Sequence, residues 1–190
     1  KPCTKPASWN APGDYIDIHL GTAKAGESVQ KESETIVALV NKYWAALAGA
    51  VPAVINLGQM NATFGVDGAT NVTPSGFIPY HNTPDRVIMN YKYPDKAGNG
   101  ALFRYKFIDN SGTEHVFDHT NTSETDSYKD YTQALSLSGL SITGMDIIIA
   151  SAGQYPIGPK GIGTDCSSKL YVDYIRFAYN HTLQALKVNN

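Results

Sequence analysis

The chain has 190 residues, of which 42% are hydrophobic and 17% charged, and its formal net charge is −2. The charged fraction lies below the usual value of about 25%, which argues against a disordered chain and against a helical bundle rich in Glu and Lys. Because Lys and Arg are scattered singly, the basic stripe that nucleic acid needs is missing, and the sequence predicts no nucleic-acid partner. Tyrosine is abundant at 12 residues, and glycine and proline total 17 and 10, a composition typical of all-β proteins.

The first third of the chain contains one clear strand pattern and one ambiguous segment. Residues 1–13 are rich in proline and predict a leader that packs on the domain, with Trp9 as its anchor. Residues 14–21 alternate polar and apolar side chains, as a half-buried strand does. Residues 34–48 fit a helical stripe, and local pattern alone favours a helix, yet they contain "TIVALV", which is a plausible strand. The longest apolar stretch, residues 44–58, is shorter than the about 20 residues that a membrane span needs, so no span is predicted.

The remainder of the chain predicts short strands separated by turns. Residues 53–65 suggest a strand followed by a turn region, and residues 118–130 are polar with no core pattern. Further strands are predicted at 86–93, 101–109, 113–119, 131–137, 145–151 and 169–179. Short strands at regular spacing, joined by turns, indicate a β-sandwich or a barrel.

The last predicted strand changes its apolar face in the middle. Leu170 and Val172 are two residues apart, whereas Ile175 and Phe177 share the opposite parity. A β-bulge has this effect, because one extra residue switches every later side chain to the other face. The sequence therefore predicts a bulge at Asp173–Tyr174.

Two motifs resemble a known family. The pattern L-x-V-D-x-I-x-F at residues 170–177 is similar to the last strand of jelly-roll domains of the carbohydrate-binding kind. The segment "TPDRVIMNYKYP" at 83–94 resembles the carbohydrate metabolism domain family of Bacteroidetes, and the resemblance extends over about residues 56–179. It implies an all-β, jelly-roll β-sandwich as a single domain at 14–180, with a tail at 181–190 and a strand at 34–43.

The resemblance also implies a function and a location. It predicts a non-catalytic carbohydrate-binding module, with a glycan as its partner, in an exported bacterial protein that takes part in glycan utilisation. Such a protein would be a periplasmic or surface-anchored lipoprotein whose signal has been removed. The identity of the glycan and the oligomeric state stay open.

Carbohydrate binding needs aromatic platforms with polar groups nearby. Most of the tyrosines are predicted to be core or edge residues, and because loops commonly carry function, loop aromatics are the better candidates. The candidate carbohydrate-binding residues are Tyr80 with its neighbour His81, Tyr155, and Trp44.

Asp173 is the candidate metal ligand, since a bulge would re-aim its carboxylate and calcium prefers oxygen ligands. In the resembling domains the motif commonly reads V-D-D, whereas the second acidic position here is Tyr174. The alternative is that Asp173 only accepts backbone N–H bonds at the bulge.

Two other functions stay open. A glycoside hydrolase needs two carboxylates across a cleft, and the candidate acids, which read better as solvated loop charges, are Asp109, Glu114, Asp118, Glu124, Asp126 and Asp130. The third function is a structural or adhesive surface module. The cysteines, Cys3 and Cys166, are compatible with one disulfide or with two free thiols.

Overall fold

The computed structural model describes Trp9 and residues 28–44, 49–64, 70–96, 100–152 and 168–179. These residues form strands and no helix. The strands are β1 Val29–Lys31, β2 Val37–Val40, β3 Lys42–Trp44, β4 Gly49–Val51, β5 Val54–Asn56, β6 Gln59–Phe64, β7 Thr70–Gly76, β8 Ile78–Pro79, β9 Arg86–Asp95, β10 Ala101–Asp109, β11 Glu114–Asn121, β12 Thr125–Ala134, β13 Ile142–Ala150 and β14 Lys169–Ala178. The strand predicted at residues 14–21 and both cysteines lie outside the described residues.

Two five-stranded antiparallel sheets contain most of the strands. The first sheet has the order β1-β2-β14-β9-β12, and the second has the order β11-β10-β13-β5 with β8 also paired to β13. Eight strands pair as nested hairpins, since β10 pairs with β11, β9 with β12, β5 with β13 and β2 with β14. This rolled-up arrangement over two sheets is the jelly roll, so the predicted fold class is confirmed.

The core lies between the two sheets. Alternation in β9, and in β10 from Phe103 onward, directs one face of each strand inward, as the sequence predicts. Tyr91 of β9 contacts Phe103 of β10 edge to face, with 5.2 Å between the ring centroids. Each fully buried aromatic side chain of this kind contributes about 1.5–3 kcal/mol through its removal from water. Trp9 is partly buried against the same core, which is the position expected of an anchor.

A network of buried hydrogen bonds joins the sheets at one end, and we call it the inter-sheet clasp. Ser151 follows β13 of the second sheet; its hydroxyl donates to Asn41 Oδ1 at 2.5 Å and accepts from Ala53 N at 2.9 Å. Tyr93 of the first sheet donates its hydroxyl proton to the Ser151 carbonyl at 2.8 Å. Ser168, which precedes β14, donates to the same carbonyl at 3.0 Å. Because buried polar groups are costly unless paired, the clasp fixes the alignment of the sheets at this end.

The ambiguous segment forms the strands Val37–Val40 and Lys42–Trp44, which confirms strand instead of helix there, although the predicted strand at 34–43 starts too early. The first of these strands begins at Val37 because residues 32–36 form a turn, in which the Ser33 hydroxyl accepts from the backbone N–H of Ile36 at 3.1 Å. All four residues Val37–Val40 are buried. A short apolar run buried on both faces has no alternation, so its pattern cannot be told from a helix.

Two polar strands were not recognised from the sequence pattern. Residues 59–64 form β6, which pairs with β7, where a turn region is predicted. Residues 118–130, which lack a core pattern, supply much of β11 and most of β12. Both β11 and β12 are edge strands of their sheets, so few of their side chains need to be apolar.

The predicted bulge in β14 is present. Val172 pairs with Tyr91 and Tyr174 pairs with Asn90, so Asp173 is an extra residue on β14. On either side of it, Val172 lies in the core and Ile175 packs against the core.

Candidate functional site

The sequence-predicted binding residues do not form one site among the described residues. Tyr80 lies after β8, and its ring packs between Phe107 and Phe177, with centroid separations of 6.0 and 5.5 Å. Its hydroxyl lies 2.7 Å from that of Tyr179. Burial, and then this hydrogen bond, raise the pKa of Tyr80. The ring is therefore largely engaged by the core.

The other predicted residues are further from a common site. His81 follows Tyr80 and is exposed. Trp44 ends β3, and the structure describes only its backbone. Tyr155 lies outside the described residues.

The outer surface of the first sheet presents a different aromatic group, which we call the tyrosine face. Its members project from the neighbouring strands β12, β9 and β14, away from the core. They are the aromatic residues Tyr128, Tyr171 and Tyr174 and the polar residues Asn90, Lys92, Asp130 and Arg176. The exposed fractions of Tyr128 and Tyr174 are 39% and 37%, so both rings are partly open to solvent.

At one end of the tyrosine face, a lysine lies between two aromatic rings. The Lys92 ammonium is 4.4 Å from the ring centroid of Tyr171 and 5.2 Å from that of Tyr128. These cation–π contacts orient both rings. Burial raises the pKa of the Tyr128 hydroxyl, and the negative charge of Asp173 raises it further, so Asp173 is electrostatically coupled to this end of the face.

At the centre of the face, Asp130 organises the polar groups. Its Oδ1 accepts hydrogen bonds from Asn90 Nδ2 at 2.8 Å and from the Tyr174 hydroxyl at 2.7 Å. Its Oδ2 lies 3.8 Å from the Arg176 guanidinium. The bond from Asn90, followed by that from Tyr174, lowers the pKa of Asp130. Aromatic surface, fixed acceptors and two cations therefore occur together on one regular sheet surface.

Three of the six candidate acids of a hydrolase are engaged in pairs away from the tyrosine face. Glu114 and Asp118 lie on β11, in a strand rather than a loop, and each binds a base on β10. Lys106 Nζ is 2.9 Å from Glu114, and Arg104 makes a two-pronged contact with Asp118 at 2.7 Å.

Asp109 ends β10 and organises the turn to β11. Its carboxylate accepts from the Ser111 hydroxyl at 2.6 Å, and it lies 2.9 Å from His115 Nε2. The bonds from Ser111 and His115 lower the pKa of Asp109, which is the opposite of what a catalytic acid needs.

One acidic residue that the sequence analysis did not single out is buried in the second sheet. Asp146 on β13 is 1% exposed. Its Oδ1 accepts from Gly58 N at 2.7 Å and from Asn56 Nδ2 at 3.4 Å. In the part of the chain that the structure describes, Asp146 Oδ2 and Asn56 Oδ1 have no hydrogen-bond partner. Burial raises the pKa of Asp146, against the opposing effect of the Gly58 bond.

The described residues do not by themselves make a calcium site. Among them, no three His, Cys, Asp or Glu side chains lie close enough together to hold a metal ion. Tyr174 occupies the second acidic position of the motif and binds Asp130 instead. Calcium at Asp173 therefore stays a prediction.

No helix within the described ranges has the length and apolar character needed to cross a membrane.

The tyrosine face was missed because its residues were assigned to the core or to edges. The residue pattern around the bulge could have identified part of the tyrosine face. If Leu170 and Val172 face inward and the strand shifts at Asp173, then Tyr171, Tyr174 and Arg176 must all face outward. Tyr128 carries no such signal, because it lies in an irregular stretch where β12 slips against β9.

No protein-family model matches the sequence, and no curated protein does. A similar arrangement of strands occurs in the enzymatically active domain of tailspike protein 4 of bacteriophage CBA120, with 9% identity and a TM-score of 0.38, over 90% of this chain and 19% of that chain. It also occurs in carbohydrate-binding modules of the β-sandwich superfamily, with 12% identity and a TM-score of 0.38, over 84% of this chain and 59% of that chain. A family 16 carbohydrate-binding module has 12% identity and a TM-score of 0.33, over 82% of this chain and 92% of its own. This chain spans less than two thirds of the first two structures, and likeness at such TM-scores does not establish a shared function.

Proposed function

We propose that this chain is a non-catalytic carbohydrate-binding module of an exported bacterial surface protein involved in glycan utilisation. The observation that carries the proposal is the tyrosine face, with partly exposed rings on a rigid sheet beside fixed polar groups. The apolar faces of sugar rings pack on aromatic side chains, while their hydroxyls need donors and acceptors at the ring edges.

The face supplies both kinds of contact within one surface. Tyr128 and Tyr171 offer aromatic surface on two different strands, with Lys92 between them. Asp130 offers acceptors, and Asn90 and Arg176 offer donors beside it. A surface that extends over three strands suits several consecutive sugars of a polymer better than a single small molecule.

Non-catalytic binding is supported by the positions of the acids. Glu114 and Asp118 are in ion pairs on the second sheet, and the tyrosine face holds one carboxylate, Asp130, whose lowered pKa suits a fixed acceptor. Hydrolysis of a glycosidic bond requires two carboxylates with different roles.

The test is a glycan-array screen followed by affinity electrophoresis in gels that contain each polysaccharide found. We expect Tyr128→Ala and Tyr171→Ala each to weaken retention about tenfold, which corresponds to about 1.4 kcal/mol. Val116→Ala is the matched control, because Val116 is exposed on the other sheet and should leave retention unchanged. Binding that survives both tyrosine substitutions would exclude this face, and silence across the array would refute carbohydrate recognition. Release of reducing ends from the bound polysaccharide would refute the non-catalytic assignment.

A further inference from the structure

A cavity lies where β14 extends past the beginning of β2. Its volume is about 210 Å³, and its lining includes aliphatic side chains from both sheets. The residues used below are Trp9, Val37, Asp173, Tyr174 and Ile175. Sites for drug-sized ligands measure about 300–1,000 Å³, so this cavity limits its occupant to about one ring.

The lining combines three kinds of surface. Trp9 contributes an aromatic ring that is partly buried against the core. Val37 and Ile175 contribute an apolar floor, since Val37 belongs to the core cluster and Ile175 is partly buried against it. Asp173 contributes a partly buried carboxylate. The bulge is the reason that Asp173 occurs here, because it is the extra residue between Val172 and Tyr174.

We propose that this cavity is a second carbohydrate subsite, which takes one terminal sugar ring bearing a methyl group, as in a 6-deoxyhexose or an N-acetylhexosamine. The inference rests on the proposed carbohydrate-binding function. The indole ring of Trp9 packs on the sugar ring, and the Asp173 carboxylate accepts hydrogen bonds from its hydroxyls. The methyl group lies on the aliphatic floor, where a hydroxyl would lose its hydrogen bonds to water without replacement.

The cavity and the tyrosine face adjoin each other. Tyr174 lines the cavity and also binds Asp130 at the centre of the face. Asp173 lines the cavity and is electrostatically coupled to Tyr128. A chain whose end enters the cavity can therefore continue over the face, and this would align a polysaccharide relative to β14.

The test uses nuclear magnetic resonance of the ¹⁵N-labelled protein. The chain has two tryptophans, Trp9 and Trp44, and so gives two indole N–H signals, which Trp44→Phe assigns. The probes are matched methyl glycosides that differ in the methyl-bearing group: N-acetylglucosamine against glucose, and L-fucose against L-galactose. We expect the methyl-bearing member of a pair to shift the Trp9 signal saturably and its partner to bind at least about tenfold more weakly, the range that one apolar group gives in a fitted pocket.

Variants separate the cavity from other surfaces. Asp173→Ala should weaken the shift of the Trp9 signal about tenfold or more, whereas Asp126→Ala, at an exposed aspartate of β12, should leave it unchanged. If no glycoside moves the Trp9 signal, the subsite is refuted, even when polysaccharide retention shows that the tyrosine face binds. If both members of a pair bind equally, the methyl preference is refuted. If the glycosides bind but no polysaccharide is retained, the proposed face fails while the subsite stands.

Discussion

The inter-sheet clasp allows a stability prediction with a magnitude. Ser151→Ala removes the hydroxyl that accepts from Ala53 N and donates to Asn41 Oδ1. A buried N–H left without a partner costs about 1–3 kcal/mol, and the lost bond to Asn41 adds about 1 kcal/mol. We therefore expect the free energy of unfolding to fall by about 2–4 kcal/mol. For a chain of this size that lowers Tm by about 5–15 °C.

A second substitution in the clasp separates a lost bond from an unpaired group. In Ser168→Ala the Ser151 carbonyl keeps the hydrogen bond from the Tyr93 hydroxyl. The expected loss is therefore only about 0.5–1.5 kcal/mol, the net value of one hydrogen bond. Urea unfolding followed by circular dichroism measures both losses, with Ser136→Ala at an exposed loop position as the control. Equal losses for the two clasp variants, or a Ser151→Ala loss below about 0.5 kcal/mol, would refute the reasoning.

Three further predictions concern charge and backbone geometry. The raised pKa of Asp146 means that the folded state binds its proton more tightly than the unfolded chain, so the free energy of unfolding falls as pH rises from about 4. In urea titrations at several pH values, Asp146→Asn should make that fall smaller. An unchanged dependence of the unfolding free energy on pH would contradict the prediction. The lowered pKa of Asp109 has the opposite effect on stability, so its stabilisation is present above about pH 4 and is lost at lower pH. Asp109→Ala should destabilise the fold at pH 7 but not in strong acid. The control Asp126→Ala should change stability at neither pH. Gly100 and Gly112 both have positive φ, of 94° and 84°, but only a Cβ at Gly100 would meet backbone atoms, one of them at 2.1 Å. Gly112→Ala should lower the free energy of unfolding by about 1–2 kcal/mol, and Gly100→Ala should lower it distinctly more. Similar melting temperatures for the two variants would contradict this difference.

The predictability of the fold varied with the kind of strand. β9 and β10 alternate cleanly because one face of each strand is in the core, so their patterns predicted them well. Val37–Val40 is buried on both faces, so no periodicity was available, and the strand assignment depended on a resemblance. β11 and β12 lie at sheet edges and carry many polar residues, so hydrophobic pattern could not detect their full length.

The candidate site was predicted less well than the fold. Loop position suggested Tyr80, but its ring fills a gap between Phe107 and Phe177, which only the three-dimensional packing of the two sheets reveals. Tyr128 and Tyr171 are brought to the two sides of Lys92 by pairing between strands that are far apart in the chain. Local sequence does not contain such pairings.

The bulge also changes what a single-residue deletion would mean in β14. Loss of Asp173 would remove the extra residue and make β14 regular, so Tyr174 and Arg176 would stay on the outer face while Ile175 and Phe177 would stay against the core. Loss of a paired residue such as Tyr171 would instead turn one part of the strand over, with the effect of several simultaneous substitutions on both surfaces of the sheet. The length of this strand, and not only its composition, therefore encodes which side chains the protein presents.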